Sequence, residues 1–286
     1  MSSLAVNSPP LSLLSTDPSM SKKLIIYSVL TRLWGNPSTK RVPHGTLTEN
    51  GAGKLSAFTP EALQYIRSLG ATHVWFIGLL EHATKTDYSA YGITPDHPDT
   101  VKGQAGSPYA VKDYYDVDPD LADDPLRRQE ELDALIHRTH EAGLQVVMDF
   151  IPNHVARSYH SDACPKGTVD LGATDDSNQA FSPRNNFYYL PDSTLILPLS
   201  TSSSPYEERP ARATGNDCFS PRPTICDWYE TVKLNYGVDY CGDGGLHADP
   251  LPDTWVKMRD ILLYWASRGV DGFRCDMTEL VPPEFW

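Results

Sequence analysis

The stretch Gln145-Val-Val-Met-Asp-Phe150, together with the helical pattern before it, decides the fold. Asp124-Pro125 has the composition of a helix start, and Gly143 marks the helix end. The apolar face of this predicted helix repeats at helical spacing: Leu132, Leu135, Ile136 and Thr139. A helix that leads into a short apolar strand is the repeating unit of an α/β protein.

Two similar units lie on either side of this one. A predicted helix over 60–70 precedes a strand at 73–77, and a helix over 253–269 precedes a strand at 270–274. An almost fully apolar run over 24–30 comes first and predicts a buried parallel strand. The pattern therefore predicts a parallel sheet flanked by helices.

A doubly wound sheet and a TIM barrel both satisfy this pattern. No G-x-G-x-x-G follows the first strand, so the main sign of a dinucleotide-binding fold is missing, and we favour a barrel. About a hundred residues separate the third predicted strand from the next helix, far more than a usual loop. This segment is rich in Pro, Gly, Ser, Asn and aromatic residues, and we expect a small irregular inserted domain there.

The composition indicates a soluble globular protein and argues against two kinds of partner. The 286 residues are 40% hydrophobic and carry a net charge of -13, and the mean hydropathy is -0.39. No apolar run is long enough to cross a membrane. An acidic surface repels phosphate backbones. We therefore expect no membrane and no nucleic acid as a partner, whereas a neutral substrate such as a sugar is compatible.

Residues 1–21 differ in composition from the rest of the chain. They are rich in Ser, Pro and Leu and contain no Lys or Arg, and the apolar patch over 11–14 is too short for a signal-peptide core. We expect a disordered tail and a cytoplasmic location.

Polar residues stand at the ends of the predicted strands, where a TIM barrel has its active site. They are Asp149, Asn153 and His154 after the third strand, Arg274 and Asp276 at the fourth, and Tyr109 in the loop after the second. Arg274 and Asp276 are two residues apart and point to the same face of a strand. The guanidinium then favours the ionised carboxylate that a nucleophile needs. An ordinary structural role, as an ion pair or a turn cap, also fits each residue taken alone.

In combination, these residues resemble the motifs of the α-amylase superfamily, glycoside hydrolase family 13. The matches are Asp149, Asn153 and His154 for its strand-three motif, Gly272, Phe273, Arg274 and Asp276 for its strand-four motif, Tyr109, Asp113, Tyr114 and 117–119 for its loop motif, and Leu251, Pro252 and Asp253 for a short motif before the third helix. The resemblance implies a (β/α)8 TIM barrel of the α-amylase type, of which the chain holds about the first four strands. It divides the chain into a tail (1–21), a first barrel part (22–154), an inserted small domain (155–248) and a barrel continuation (249–286).

The resemblance also implies an activity and residue roles. The activity is that of a retaining α-glycoside hydrolase acting on α-linked glucans such as starch or maltooligosaccharides. Asp276 would be the nucleophile that forms the covalent glycosyl-enzyme, and Arg274 would orient and charge it. His154 would hydrogen-bond the sugar, Tyr109 would stack on its ring, and Asp149 would be a supporting carboxylate.

Calcium is the cofactor that the resemblance allows. Asn153 and Asp253 match positions that often bind this ion in the family, and their oxygen atoms suit a hard cation.

The chain departs from the family pattern in several places. Glu279-Leu280 stands where typical α-amylases have Lys-His, and the end of strand two lacks the usual proline. The acid/base Glu expected after strand five and the sugar-binding Asp expected after strand seven are not among these residues. We therefore expect a fragment that is inactive alone. Two alternatives stay open: a transglycosidase of the same superfamily that forms trehalose or branches, and a non-catalytic carbohydrate-binding remnant.

Overall fold

The structure, a computed structural model, describes residues 23–200 and 202–286. The tail predicted over 1–21 lies outside the described residues. The described part of the chain has ten strands: β1 (Ile26–Leu30), β2 (His73–Ile77), β3 (Leu80–His82), β4 (Val111–Val117), β5 (Gln145–Phe150), β6 (His154–Ala156), β7 (Tyr189–Leu190), β8 (Ala211–Arg212), β9 (Thr231–Lys233) and β10 (Gly272–Cys275). The α-helices of that part are α1 (Leu47–Asn50), α2 (Pro60–Ser68), α3 (Arg128–Glu141) and α4 (Asp253–Ser267). None of these described helices combines the length and the apolar character that crossing a membrane requires.

Strands β1, β2, β5 and β10 form one parallel sheet in that order. Neighbouring strands of the sheet follow each other along the chain without a reversal of order. This is the arrangement of a barrel wall, because a doubly wound sheet reverses its strand order at a switch point. The predicted parallel sheet is confirmed. Within the described residues the sheet is open, with β1 and β10 as its edges, and no closed barrel is present.

The three long helices begin close to where the sequence predicts. The Thr59 side chain caps α2 by accepting a hydrogen bond from the backbone N–H of Ala62 at 3.2 Å. Helix α3 begins at Arg128, later than predicted. The reason is that Asp124 caps a separate 3-10 turn over Pro125–Arg127, which precedes the α-helix.

The apolar faces of these helices supply much of the core. Their buried hydrophobic residues are Leu63 and Ile66 in α2, Leu132, Leu135 and Ile136 in α3, and Met258, Ile261 and Trp265 in α4. Burying one such side chain stabilises the fold by about 1.5–3 kcal/mol, so these residues strongly favour packing of the three helices into the core. Trp265 also donates from Nε1 to the carbonyl of Tyr114 at 2.7 Å, which connects α4 to β4.

Strand β1 is more exposed than its sequence predicts. Ile26 is 53% exposed and Leu24, just before the strand, is 66% exposed. The prediction of a buried strand is wrong because Ile26 and Ser28 lie on a face of the sheet that is open to a cavity, and β1 has a neighbouring strand on one side only within the described residues. An apolar run indicates what a strand is able to bury and does not set the number of its neighbours.

The segment between β5 and α4 contains short strand pairs. Strand β6 pairs with β9 and β7 pairs with β8, both antiparallel. The fully buried Arg157 side chain connects these parts: it pairs with Glu208 at 2.6 Å and donates to the carbonyls of Tyr229 at 2.7 Å and Thr231 at 2.9 Å. A buried charge needs such a set of partners, so the segment is ordered around this arginine.

Candidate active site

The carboxyl ends of β5 and β10 bring Asp149, Arg274 and Asp276 together. Arg274 is the register partner of Asp149 in the neighbouring strand. Asp276 follows the last residue of β10, and its backbone N–H donates to the carbonyl of Phe150 at 2.9 Å. Because parallel strands end at the same edge of a sheet, the three side chains form one site at that edge.

Arg274 directs its guanidinium towards Asp276. Nη1 donates to Oδ1 of Asp276 at 2.6 Å and lies 3.8 Å from Oδ1 of Asp149. The guanidinium also lies over the rings of Trp75 and Tyr109, 5.1 Å and 5.5 Å from their centroids. Each cation–π contact at such a site contributes about 0.5–1 kcal/mol and restricts where the charge lies. The Asp276 carboxylate therefore faces a fixed positive charge, while 15% of its side chain stays exposed.

Asp149 is bound mainly by groups at the end of β2. Its Oδ1 accepts from Nε1 of Trp75 and its Oδ2 accepts from the backbone N–H of Gly78, both at 3.1 Å. Burial raises the pKa of Asp149 to about 6, against the lowering effect of these two hydrogen bonds and of Arg274. Asp149 thus joins β2 to β5 beside the arginine.

A cavity of about 240 Å³ opens beside Asp276. Its lining residues are Ser107, Tyr109, Ala110, His154, Trp228, Glu230, Thr231, Asp276 and Met277. Tyr109 is half-buried, and burial, followed by the charge of Asp149, raises the pKa of its hydroxyl. The lining thus combines residues that follow the strands of the sheet with residues of the long segment.

His154 lies at the start of β6 and is buried. Its Nδ1 is 3.2 Å from Nδ2 of Asn153, which makes the amide the donor and Nδ1 the acceptor. Burial, and then the charge of Lys233, lowers the pKa of His154 to about 4. At neutral pH the imidazole is therefore uncharged, with its proton on Nε2.

Trp228 and Glu230 line the cavity, although the motifs do not assign them. The Trp228 ring centroid is 5.2 Å from that of His154, and Glu230 pairs with Lys102 at 2.8 Å. The only sequence sign was the aromatic content of the stretch 227–230. Their position depends on the pairing of β6 with β9, which no local spacing reveals.

The two predicted calcium ligands are each bound by a lysine. Oδ1 of Asn153 accepts from Nζ of Lys233 at 2.9 Å, and Oδ2 of Asp253 lies 2.9 Å from Nζ of Lys257. Two unit charges 4 Å apart interact by about 4 kcal/mol at an effective dielectric constant of 20, and a dication doubles this repulsion. The groups around Asn153 and Asp253 therefore do not fit a calcium ion.

These features define an α/β protein with a barrel-type parallel sheet and a carboxylate site at the strand ends. A family model described as "Alpha amylase, catalytic domain" matches residues 44–190, more than half of the chain. The chain belongs to this α-amylase family of glycoside hydrolases. The matched range contains Tyr109, Asp149 and His154, whereas Arg274 and Asp276 lie beyond it.

Individual relatives agree with this family. Maltase 1 from Drosophila virilis is 25% identical over 231 residues, which are 79% of this chain and 28% of the maltase. Trehalose synthase/amylase TreS from Mycolicibacterium smegmatis is 23% identical over 270 residues, 92% of this chain and 34% of the relative. The chain therefore spans 28% and 34% of the lengths of these two relatives. Among solved structures, cyclic α-maltosyl-(1→6)-maltose hydrolase from Arthrobacter globiformis in complex with maltose has a TM-score of 0.52 at 19% identity, covering 92% of this chain and 46% of the hydrolase. That likeness shows the fold alone.

Proposed function

We propose that the chain forms part of a retaining α-glycoside hydrolase that acts on α-linked glucans such as starch and maltooligosaccharides. The observation that carries this proposal is the Arg274–Asp276 pair at a strand end, beside a cavity lined by Tyr109 and His154. Two relatives are named as a maltase and a trehalose synthase/amylase, which supports α-linked glucans as the class of substrate.

In the proposed reaction, the Asp276 carboxylate attacks the anomeric carbon of the bound sugar. A carboxylate–carbon bond forms while the glycosidic carbon–oxygen bond breaks, which gives a glycosyl-enzyme. Arg274 holds Oδ1 of Asp276, so attack falls to Oδ2. His154 contacts the bound sugar from the cavity wall, and the Tyr109 ring packs against the apolar face of the pyranose.

The leaving oxygen needs a proton from a second carboxyl group about 5 Å from the nucleophile. Asp149 and Glu230 also reach this site, but their carboxylates are bound by other groups: Asp149 by Trp75 and Gly78, and Glu230 by Lys102. We assign neither as the acid/base. The 286 residues by themselves are therefore expected not to hydrolyse unactivated glycosides.

The proposal extends to the long segment. We propose that residues 155–248 act as a small inserted domain that forms part of the cavity wall. The support is that Trp228, Glu230 and Thr231 line the cavity and belong to this segment.

A glycosyl fluoride with a fluorine on the sugar ring tests the nucleophile directly. Fluoride leaves without a proton donor, so attack by Asp276 needs no acid, and the ring fluorine slows breakdown of the adduct. We expect mass spectrometry to find one glycosyl group on the peptide that contains Asp276, and none in Asp276→Asn. A chain that binds maltooligosaccharide in calorimetry but forms no adduct contradicts the nucleophile. Turnover of maltooligosaccharides by these 286 residues contradicts the expectation that they do not supply the acid/base.

A transglycosidase that forms trehalose or branches is the second candidate. Glu279-Leu280 in place of Lys-His and the similarity to a trehalose synthase/amylase favour it. It passes through the same glycosyl-enzyme, but the acceptor is a sugar hydroxyl instead of water. Product analysis of an active longer chain on a defined maltooligosaccharide separates the two, because only transfer gives trehalose, branched or lengthened products. Binding without an adduct fits the non-catalytic alternative.

A further inference from the structure

Lys233, on β9, is a buried lysine with 2% of its side chain exposed. Its Nζ donates to Oδ1 of Asn153 at 2.9 Å and pairs with Oδ1 of Asp217 at 2.5 Å. It also lies 5.3 Å from the ring centroid of Tyr240. A single ammonium group therefore joins the turn after β5 to a carboxylate of the long segment.

Asn153 uses both ends of its amide and its backbone carbonyl. Nδ2 donates to the carbonyl of Gly215 at 2.7 Å and lies 3.2 Å from Nδ1 of His154. The backbone carbonyl accepts from the N–H of Leu234 at 2.9 Å. With Lys233 on Oδ1, the amide has one orientation: its oxygen faces the cation and its NH₂ group faces His154.

We propose that the Lys233 ammonium takes the place that the family resemblance gives to calcium at Asn153, and that Lys233 positions His154 through this amide. An oxygen-bound calcium ion would join an amide oxygen to a nearby carboxylate. Here Lys233 joins the Asn153 oxygen to Asp217 in that way. Because the cation is covalently part of the chain, a chelator cannot remove it.

The second predicted calcium ligand has a similar partner. Lys257 lies one helical turn after Asp253 on α4 and pairs with it at 2.9 Å. The same ammonium donates to Oδ1 of Asn186 at 2.8 Å. Each position that the resemblance assigns to calcium thus carries its own lysine.

Lys233 acts on His154 through Asn153. It fixes the amide so that its N–H lies against Nδ1, which puts the imidazole proton on Nε2. The role of His154 in sugar binding rests on the proposed function, whereas the tautomer and the replacement of calcium at Asn153 do not.

Thermal unfolding of the protein in excess EDTA and in millimolar calcium chloride tests the cation replacement. We expect the same unfolding midpoint for the wild type in both buffers. Lys233→Met, which keeps most of the length of the side chain without its charge, should unfold several degrees lower in EDTA. Lys166→Met makes the same exchange at an exposed lysine and is the matched control. A rise of the wild-type midpoint with calcium that disappears in Asn153→Ala overturns the proposal.

Nitrogen-15 NMR of the His154 imidazole tests the positioning role, without any substrate. The wild type should show protonated Nε2 and bare Nδ1 at neutral pH. Lys233→Met should mix the tautomers, and Lys233→Arg should largely restore the wild-type pattern. An unchanged His154 spectrum in Lys233→Met refutes the positioning role. If Lys233→Met does not fold, the His154 spectrum of Lys233→Arg and the calcium titration of the wild type still test the proposal. Failure of these experiments leaves the Asp276 adduct test unaffected, so the two proposals fail separately.

Discussion

Replacing Asp149 by asparagine is expected to change how the stability of the chain depends on pH. Asp149 is 4% exposed, and burial raises its pKa from the ordinary 3.8 to about 6. A carboxyl group with a higher pKa in the folded than in the unfolded state holds its proton more tightly when folded. Its stabilising contribution is complete below the unfolded pKa and is lost as the pH rises through about 6. Asparagine does not titrate, so the variant does not lose this stabilising contribution as the pH rises.

The size of the effect follows from the pKa shift. A shift from 3.8 to about 6 corresponds to about 3 kcal/mol between the fully protonated and the fully ionised limits. Most of this difference develops between about pH 4 and pH 7. Over that interval the free energy of unfolding of Asp149→Asn should therefore rise by about 2 kcal/mol relative to that of the wild type. A constant offset is also expected. The amide oxygen can serve Trp75 or Gly78 but not both, and an unpaired buried donor costs about 1–3 kcal/mol.

Urea denaturation of both proteins at a series of pH values measures this slope. Glu81, Asp113 and Asp118 also have pKa values raised mainly by burial, so the absolute stability curve contains their titrations. The difference between the two proteins cancels these contributions. Asp123→Asn, at an exposed position, gives the baseline for the same exchange at the surface. A difference between Asp149→Asn and the wild type that stays constant across the range refutes the reasoning.

Three further predictions concern parts of the fold. Arg157→Met should lower the free energy of unfolding by about 1–3 kcal/mol in urea denaturation, because the carbonyls of Tyr229 and Thr231 lose their buried donor, while Glu208 keeps Arg212. Thr59→Ala should lower it by about 1 kcal/mol, since the first turn of α2 loses its cap; Thr59→Ser should restore it. Ile26→Lys should change it by less than about 0.5 kcal/mol and reduce self-association in sedimentation velocity, because this exposed residue lies on an open sheet edge.

The elements could be predicted where the pattern is local. Strands β2 and β5 lie where the apolar runs place them, and α2 and α4 begin at their Pro-containing starts. Periodicity and capping depend on residues within one or two turns of each other, so a single sequence contains the information. The nearness of Arg274 to Asp276 is local in the same sense, because they are two positions apart at the end of an extended strand.

The remaining features depend on residues far apart in sequence. Lys233 is 80 residues from Asn153 and becomes its partner only when β6 pairs with β9. The motif that contains Asn153 predicts a calcium ligand. It does not contain Lys233, which occupies the Asn153 oxygen in the structure. The exposure of Ile26 is non-local too, since it depends on which strands lie beside β1.

The strand-end site has one guanidinium and two carboxylates, and the guanidinium lies closer to one carboxylate than to the other. Nη1 of Arg274 is 2.6 Å from Asp276 and 3.8 Å from Asp149, while Asp149 receives neutral donors from Trp75 and Gly78. Since attraction falls with distance, the cation serves Asp276 first, and burial dominates at Asp149 and raises its pKa. The carboxylate that lines the cavity thus has the closer cation, and the other holds the end of β2. It follows that replacing Asp149 should alter pH-dependent stability, whereas replacing Asp276 should abolish the covalent adduct.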